Sequence, residues 1–318
     1  MFCHYKPLCV NFTSVVNEVA AKSFDSNADL YQKVRPSYPV ESVESMLSFA
    51  KIPTSVAAVA EASKHGKKYA ILDLAAGSGL FTNVLQEHIA TTCNKNDPLV
   101  EISAVEPAAG MRTVFSQELP TVPIYDGTST SLPFPDNHFD LVTVAQAFHW
   151  FANQQTLAEI HRVLKKDGRG ALALIWNLES PEIEWMKHLR ALYEPYDADV
   201  PQYRKGDWEE MFQVTGEQKT SLFELPITRK KFQTEMLVTQ AHMMNRVESK
   251  SYITALSTEE LDNLKQKMHR LLHEQYDKEF HLSVTGTNRK AGTINTGEAY
   301  AKHLLDVDLV LTKTLSIE

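Results

Sequence analysis

The chain has 318 residues, 43% of them hydrophobic and 23% charged, so it can bury a sizeable core and wholesale disorder is excluded. A net charge of −8 disfavours a polyanionic partner, and we predict that the protein binds no nucleic acid. Cys3, His4 and Cys9 do not match a zinc spacing, and no metal site is expected. Free thiols and the lack of a long apolar run predict a cytoplasmic protein without a membrane partner.

The first predicted element is a helical segment at 21–50, which has an extended break at 35–39 because Pro36 and Pro39 disfavour helical angles in the residues before them. From residue 68 onwards, short apolar runs alternate with amphipathic helices. This alternation predicts a mainly parallel sheet with right-handed crossovers. The predicted strands begin with 69–75, 99–107, 122–127, the start of 139–150, and 169–177; the predicted helices between them are 79–90, 108–119 and 153–168, the last stopping at Gly168.

After residue 177 the alternation weakens. The segment 178–218 is rich in Trp, Tyr, Glu and Pro and is predicted to be a helical insertion. Further elements are a strand at 222–233, helices at 235–247 and 258–277, and a last strand at 304–314 on the edge of the sheet. We therefore divide the chain into an N-terminal extension with a helical lid (1–50), a ligand-binding core (51–177), an insertion that caps an acceptor (178–218), and a C-terminal part that completes the sheet (219–318).

A glycine-rich turn follows the first predicted strand. The stretch "AILDLAAGSGLFT" (70–82) places Asp73 at the end of the strand and Gly77 and Gly79 in the turn, where glycine lets the backbone approach a ligand closely. A dinucleotide fingerprint needs a third glycine where this chain has Thr82. The turn also lacks the Gly-Lys-Ser/Thr ending of a P-loop. The turn alone therefore disfavours a dinucleotide and excludes a P-loop, but it does not identify the ligand.

Acidic residues also follow the next two predicted strands. Glu106 ends the second strand, where a carboxylate can accept hydrogen bonds from a ribose diol. Asp126 ends the third, beside Gly127 and Thr128, and an Asp there can meet the amino group of adenine. The alternative for Glu106 is a solvated loop acid, and for Asp126 a turn-forming Asp-Gly pair.

Together these motifs resemble a known family. The stretches "ILDLAAGSG", "VEP", "DGTSTSLPFPDNHFDLVTVAQAFHWF" and "LAEIHRVLKKDGRGALALIWN" are similar to those of the class I S-adenosylmethionine-dependent methyltransferases, type 11 subgroup, in which the trans-aconitate methyltransferase-like enzymes are placed. The resemblance covers residues 20–180 closely. It implies a Rossmann-like, doubly wound α/β fold: a mainly parallel seven-stranded sheet with helices on both faces, an antiparallel last strand, a helical insertion and an N-terminal lid.

The resemblance also implies S-adenosyl-L-methionine as the cofactor and assigns residues to it. Asp73, Ala75, Gly77 and Gly79 would surround its methionine part, Glu106 would hold the ribose, and Asp126, Gly127 and Thr128 would face the adenine. Gln146 would lie beside the cofactor, and Tyr31, Arg35 and Tyr38 would contact it from the lid, unless they only connect a helix to the core. Ala75 is a departure, because the family usually has glycine there.

No pronounced catalytic motif is present. The segment "AQAFHWF" (145–151) lacks the Asn/Asp-Pro-Pro-aromatic motif of base amino methylases, which favours a small-molecule acceptor with a carboxylate, hydroxyl or amine nucleophile. His149 is the best candidate for a general base; alternatively, it only packs the pocket wall. Five aromatic residues of the insertion either wall an acceptor pocket or pack in the core: Trp185, Tyr193, Tyr196, Tyr203 and Trp208.

Two other functions remain open at this level. The protein could bind the cofactor without turnover and act as an interaction module through its insertion. It could also be a nicotinamide-dependent oxidoreductase, although Thr82 in place of the third glycine disfavours this.

Overall fold

The structure of the protein is a computed structural model that describes residues 28–92, 99–197, 200–213, 221–282 and 298–315. The lead-in at 1–20, the start of the predicted helical segment at 21–27, and Cys3, His4 and Cys9 lie outside the described residues.

Seven strands form one sheet in the order β3-β2-β1-β4-β5-β7-β6. The first five strands pair in parallel, β7 is antiparallel to β5, and β6 is antiparallel to β7. The predicted Rossmann-like sheet is therefore confirmed. The strands are β1 Tyr69–Leu74, β2 Val100–Val105, β3 Ile124–Tyr125, β4 Leu141–Ala145, β5 Ala171–Glu179, β6 Thr228–Val238 and β7 Ala301–Lys313.

Helices cover both faces of the sheet, which explains why the central strands are mostly apolar. Consecutive side chains of β1 illustrate this arrangement: Ile71 packs with Met46 and Phe81 on one face, and Leu72 packs with Leu157 and Ile160 on the other. The helices are α1 Ala28–Val34, α2 Val40–Phe49, α3 Val56–Lys64, α4 Leu80–Thr92, α5 Ala109–Glu118, α6 Gln154–Val163, α7 Glu184–Tyr193, α8 Asp207–Glu210, α9 Gln240–Glu248, α10 Ser251–Thr254 and α11 Thr258–Arg270.

The predicted helix at 153–168 was too long. Helix α6 ends at Val163, because Leu164 turns extended and bridges to Phe139 beside the sheet. Gly168 adopts a left-handed angle of +79°, but it does so in the turn before β5 and is not the C-cap of α6.

The order of the last two strands also differs from the prediction. The last strand, β7, is not at the edge but lies between β5 and β6, and β6 is the edge strand. Strand β6 begins at Thr228, after Pro226, and continues to Val238. Helix α9 begins at Gln240 instead of 235, because the Thr239 side chain accepts a hydrogen bond from the backbone N–H of His242 and caps the helix.

A helical layer with its own apolar core completes the molecule. Helices α7, α9, α10 and α11 contribute buried side chains such as Trp185, Leu189, Met243 and Leu264 to one cluster. Helix α1 contacts α9, so the N-terminal segment reaches this layer. No helix within the described ranges combines the length and the apolar character needed to cross a bilayer.

Candidate functional site

The turn after β1 is built from backbone angles that favour glycine. Ala75, Gly77 and Gly79 have φ angles of +58°, +57° and +92°. A Cβ atom on Gly79 would lie 2.8 Å from the Cδ1 atom of Leu119 and 2.9 Å from the Cδ2 atom of Phe115, so packing on the α5 side requires glycine there. A Cβ atom on Gly77 would meet no atom within 4 Å, which leaves open space beside this part of the turn.

Glu106, at the end of β2, is tied to this turn. Its carboxylate accepts a hydrogen bond from the backbone N–H of Gly77 at 2.9 Å and another from that of Ala108 at 2.9 Å. The side chain is buried. Glu106 is thus part of a built site at the strand ends and not a solvated loop acid.

Asp73 lies beneath the turn, fully buried. The hydroxyl group of Thr82 donates to its Oδ2 atom, and that of Thr143 donates to its Oδ1 atom at 3.1 Å. Burial, only partly offset by these hydrogen bonds, raises the pKa of Asp73 to about 7. Thr82, which the sequence presented only as a missing glycine, therefore supports the carboxylate.

The end of β3 is more exposed than the end of β2. The Asp126 carboxylate is 72% exposed and forms an ion pair with Arg112 at 3.1 Å. Arg112 also donates to the backbone oxygen of Glu106 at 2.8 Å, so it links the ends of β2 and β3. A Cβ atom on Gly127 would lie 3.2 Å from the Cγ1 atom of Val105, and the Thr128 hydroxyl lies 3.4 Å from that of Thr130. A role of Asp126, Gly127 and Thr128 toward adenine stays a prediction.

Gln146, directly after β4, also has a left-handed backbone, with φ at +59°. Its side-chain amide donates to the backbone oxygen of Asn177 at 3.0 Å, and its own N–H donates to the Ile175 oxygen at 2.8 Å. Left-handed angles in residues other than glycine are costly and cluster at functional sites. Ala75 and Gln146 place two of them at adjacent strand ends.

The structure argues against His149 as a general base. Its Nδ1 atom accepts a hydrogen bond from the indole N–H of Trp176 at 3.1 Å, which leaves the proton of the neutral ring on Nε2. Burial lowers the pKa of His149 to about 3. With one nitrogen accepting and the other protonated, the ring has no basic site left for a substrate proton. The alternative, that His149 forms part of the pocket wall, agrees with the structure.

A cavity opens beside the ends of β4 and β5. Of the predicted site residues, Tyr31, Arg35, Tyr38, Gln146 and His149 line it. Of the five aromatic residues proposed for an acceptor wall, only Tyr193 and Tyr203 do. Trp185 and Trp208 are core residues of two separate clusters, and Tyr196 packs against the first of them.

The N-terminal segment is fastened over this cavity from both sides. The Asn177 side-chain amide donates to the backbone oxygen of Ser37 at 3.0 Å. The Arg35 guanidinium donates to the backbone oxygen of Ser249 at 3.1 Å and lies over the Tyr31 ring at 4.7 Å. Residues 31–38 therefore bridge the sheet and the helical layer.

The cavity also holds charged residues that the sequence analysis missed. Arg246, on α9, and Lys250, which follows it, both approach the Oε1 atom of Glu179 at the end of β5, at 3.1 and 3.6 Å. One sequence signal could have found Arg246: it shares the buried face of α9 with Met243 and Val247, where a basic side chain is out of place. Nothing local in the sequence pairs it with Glu179.

Comparison with known proteins bears on this arrangement of strand ends. Residues 72–172 match the family model described as a methyltransferase domain. An uncharacterized methyltransferase of Schizosaccharomyces pombe is 33% identical over 257 residues, which are 80% of this chain and 86% of that protein. The chain belongs to the class I S-adenosylmethionine-dependent methyltransferases. The two open alternatives, a binding protein without turnover and an oxidoreductase, are thereby set aside.

Two further proteins are similar to this methyltransferase. A second S. pombe protein, named as methyltransferase-like and uncharacterized, is 29% identical over 262 residues, with 82% of this chain and 88% of that protein covered. A solved structure of a candidate type II methyltransferase from Anaeromyxobacter dehalogenans superposes with a TM-score of 0.56 at 16% identity, covering 89% of this chain and 99% of that one. This second likeness shows the shared fold.

The site of the methyltransferase fits S-adenosylmethionine. Three neighbouring strands each end in a feature suited to a ligand. The turn after β1 leaves open space beside Gly77, β2 ends at the anchored carboxylate of Glu106, and β4 is followed by the strained backbone of Gln146. When bound, the cofactor supplies an electrophilic methyl group on a sulfonium ion. What this chain contributes is a rigid turn, a held carboxylate and a covered cavity.

Proposed function

We propose that the protein transfers the methyl group of S-adenosylmethionine to a small-molecule acceptor that binds in the cavity beside β4 and β5. The supporting observation is the position of the cavity, which lies beneath the lid residues Tyr31 and Arg35 and against the helical layer with Tyr193 and Tyr252. A macromolecular chain would have to displace that cover.

In this proposal the cofactor is held by residues of consecutive strand ends. The turn at Ala75, Gly77 and Gly79 lies along its methionine part, with Asp73 supporting the turn from below. Glu106 binds the ribose; Asp126, Gly127 and Thr128 lie toward the adenine. Gln146, Tyr31, Arg35 and Tyr38 complete the wall between cofactor and acceptor.

The residues of this chain act by orienting and covering the reactants. A methyl group on a sulfonium ion needs a nucleophile in line with the S–C bond and little else, so proximity supplies much of the acceleration. His149 contributes a neutral ring with an Nε2–H group and not a base. The acceptor's nucleophilic atom therefore has to react without losing a proton to His149.

The test is a transfer assay with radiolabelled methyl groups. The full chain is incubated with labelled S-adenosylmethionine and a cell extract, and the products are separated into small molecules, protein and nucleic acid. We expect the label in the small-molecule fraction. Label confined to protein or nucleic acid would contradict the proposed acceptor class. A Glu106→Gln variant, impaired in cofactor binding, serves as the blank.

A further inference from the structure

We propose that the acceptor carries an anionic group, a carboxylate or a phosphate, and that Arg246 and Lys250 bind it in the cavity. This inference rests on the proposed function, since it concerns the acceptor of the same methyl transfer. It is carried by two cations at the acceptor side of the site, the buried Arg246 and the partly exposed Lys250, that share one carboxylate.

Arg246 is buried but only partly satisfied. Its side chain lines the cavity, with 3% of the residue exposed. The Nε atom donates to Oε1 of Glu179 at 3.1 Å, whereas Nη1 has no hydrogen-bond partner among the described residues. An unsatisfied donor of a buried cation is costly, and most such groups are paired. The unpartnered Nη1 atom of Arg246 is therefore a ready donor for a ligand.

The surrounding charges do not balance. Glu179 faces both Arg246 and Lys250, and its other oxygen accepts a hydrogen bond from the Tyr193 hydroxyl. Arg35 lines the same cavity, and no described carboxylate lies within ion-pair distance of it. Arg246 and Lys250 thus share the carboxylate of Glu179, and Arg35 adds a third cation to the cavity.

Two further arginines of the cavity do not change this balance. Arg190 is paired with Glu194 at 2.7 Å, and Arg204 forms an ion pair with Asp197. Glu194 also lies 3.4 Å from the Nε atom of Arg204, so both arginines have carboxylate partners other than Glu179. Within the described part of the cavity lining, the excess of positive charge therefore comes from Arg35, Arg246 and Lys250.

The titration of these groups agrees with a shortage of negative charge. Burial, reinforced by Arg35 and Arg246, lowers the pKa of Lys250 to about 8 even though Glu179 is adjacent. Burial likewise lowers the pKa of Arg246, with Arg35 acting in the same direction. An anion that enters the cavity would supply the missing counter-charge and, with two oxygens, could engage the guanidinium in a bidentate pair.

The position of the pair favours the acceptor over the cofactor. The proposed cofactor residues occupy the ends of β2, β1 and β4, whereas Glu179 ends β5 and Arg246 belongs to α9. Arg35 belongs to the lid segment and, unlike Arg246 and Lys250, is itself predicted to contact the cofactor. The test therefore has to separate the acceptor's anion from the carboxylate of the cofactor itself.

Binding by calorimetry to the full chain saturated with S-adenosylhomocysteine is the first measurement. The probes are succinate, citrate and glycerol 3-phosphate, with succinamide and glycerol as neutral counterparts. We expect at least one anion to bind about 10-fold or more tightly than its neutral counterpart. Succinate and citrate report on a carboxylate, and glycerol 3-phosphate on a phosphate. If anions and neutral compounds bind alike, or neither binds, the inference is overturned.

Variants then assign the binding to the two cations. Lys250→Met should weaken anion binding about 10-fold or more, and Arg246→Lys, which keeps the charge but loses the fork, should also weaken it. Arg162→Met is the matched control, because Arg162 is ion-paired and partly buried but does not line the cavity. Lys250→Met also covers the case in which Arg246 variants fail to fold.

The outcomes separate the two proposals. If the variants weaken binding of S-adenosylhomocysteine and leave anion binding intact, the pair serves the cofactor and the inference fails. If the wild-type chain binds the cofactor and labels only small molecules whose unmethylated forms carry no anionic group, the inference fails while the proposed function stands. If label reaches no small molecule at all, the proposed function fails first.

Discussion

The indole N–H of Trp176 donates to the Nδ1 atom of His149 at 3.1 Å, joining β5 to the segment after β4. This hydrogen bond selects the ring tautomer with the proton on Nε2, and burial keeps the ring neutral. The histidine that the sequence predicts as a general base therefore carries its proton on Nε2, where it can only donate a hydrogen bond.

We predict that His149 stays neutral across the working range of the enzyme. Because its pKa in the folded state, about 3, lies below the unfolded value of 6.5, its contribution to stability is present above pH 6.5 and is lost as the pH falls toward 3. Histidine NMR shifts should show no titration of His149 between about pH 5 and 8, and Trp176→Phe should raise its pKa.

His149→Asn should lower kcat by less than about 100-fold, below the range typical of a lost general base. If an NMR signal that titrates near pH 6.5 in the wild type is missing in His149→Asn, His149 is again a candidate general base.

The left-handed backbone of Ala75 predicts a stabilising substitution. Ala75→Gly should raise the free energy of unfolding by about 0.5–1 kcal/mol, because glycine adopts a φ angle of +58° without the Cβ penalty. Ala76→Gly is the control: Ala76 has no left-handed angle and packs in the core, so glycine there should destabilise. Urea denaturation of the three proteins gives the comparison. If Ala75→Gly and Ala76→Gly lose the same free energy of unfolding, the backbone of Ala75 is not strained.

The buried carboxylate of Asp73 predicts a pH dependence of stability. Folding raises the pKa of Asp73 from 3.8 to about 7. The contribution of Asp73 to the free energy of unfolding is therefore fully present below pH 3.8 and is lost as the pH rises through about 7. Relative to Asp73→Asn, the wild type should lose up to roughly 4 kcal/mol of unfolding free energy across this window. Measuring both proteins from pH 4 to 8 and subtracting cancels the other titrating groups. A difference that does not vary with pH would rule out the raised pKa.

The two carboxylates assigned to the nucleoside should differ in importance. Glu106→Gln replaces one carboxylate oxygen, held by Gly77 or Ala108, with a donor, so S-adenosylhomocysteine should bind at least about 10-fold more weakly. Asp126→Asn alters an exposed side chain paired with Arg112 and should cost less than about 1 kcal/mol of binding. Calorimetry measures both. Unchanged binding in Glu106→Gln would remove the ribose role from Glu106.

The positions of the predicted cofactor residues at the strand ends could largely be read from the sequence. Asp73, Glu106 and Gln146 each follow a short apolar run, and parallel strands bring such residues to one edge of the sheet. The sequence could not show that Thr82 and Thr143 hold Asp73, because those contacts depend on how α4 and β4 pack. Nor could it show the neutral ring of His149, which follows from its burial against Trp176.

The acceptor half was much less predictable. Arg246 and Glu179 are 67 residues apart in sequence, and they meet only because β7 pairs with β5 and carries the helical layer back over the strand ends. Because the sequence analysis placed β7 at the edge of the sheet, it did not predict this contact between Arg246 and Glu179. Trp185 and Trp208 were candidates for the pocket wall on composition alone, and tertiary packing placed both in cores.

The central position of β7 sets an order on assembly during synthesis. Strand β6 and helix α9 leave the ribosome before β7, yet β6 joins the sheet only through pairing with β7. A nascent chain that ends before Ala301 lacks the strand that joins β6 to β5, so we expect the β1–β5 half and the turn after β1 to form before α9, with Arg246, is fixed over the strand ends. We therefore expect the proposed binding site of the methyl donor to be complete before the proposed acceptor site, which needs the last strand.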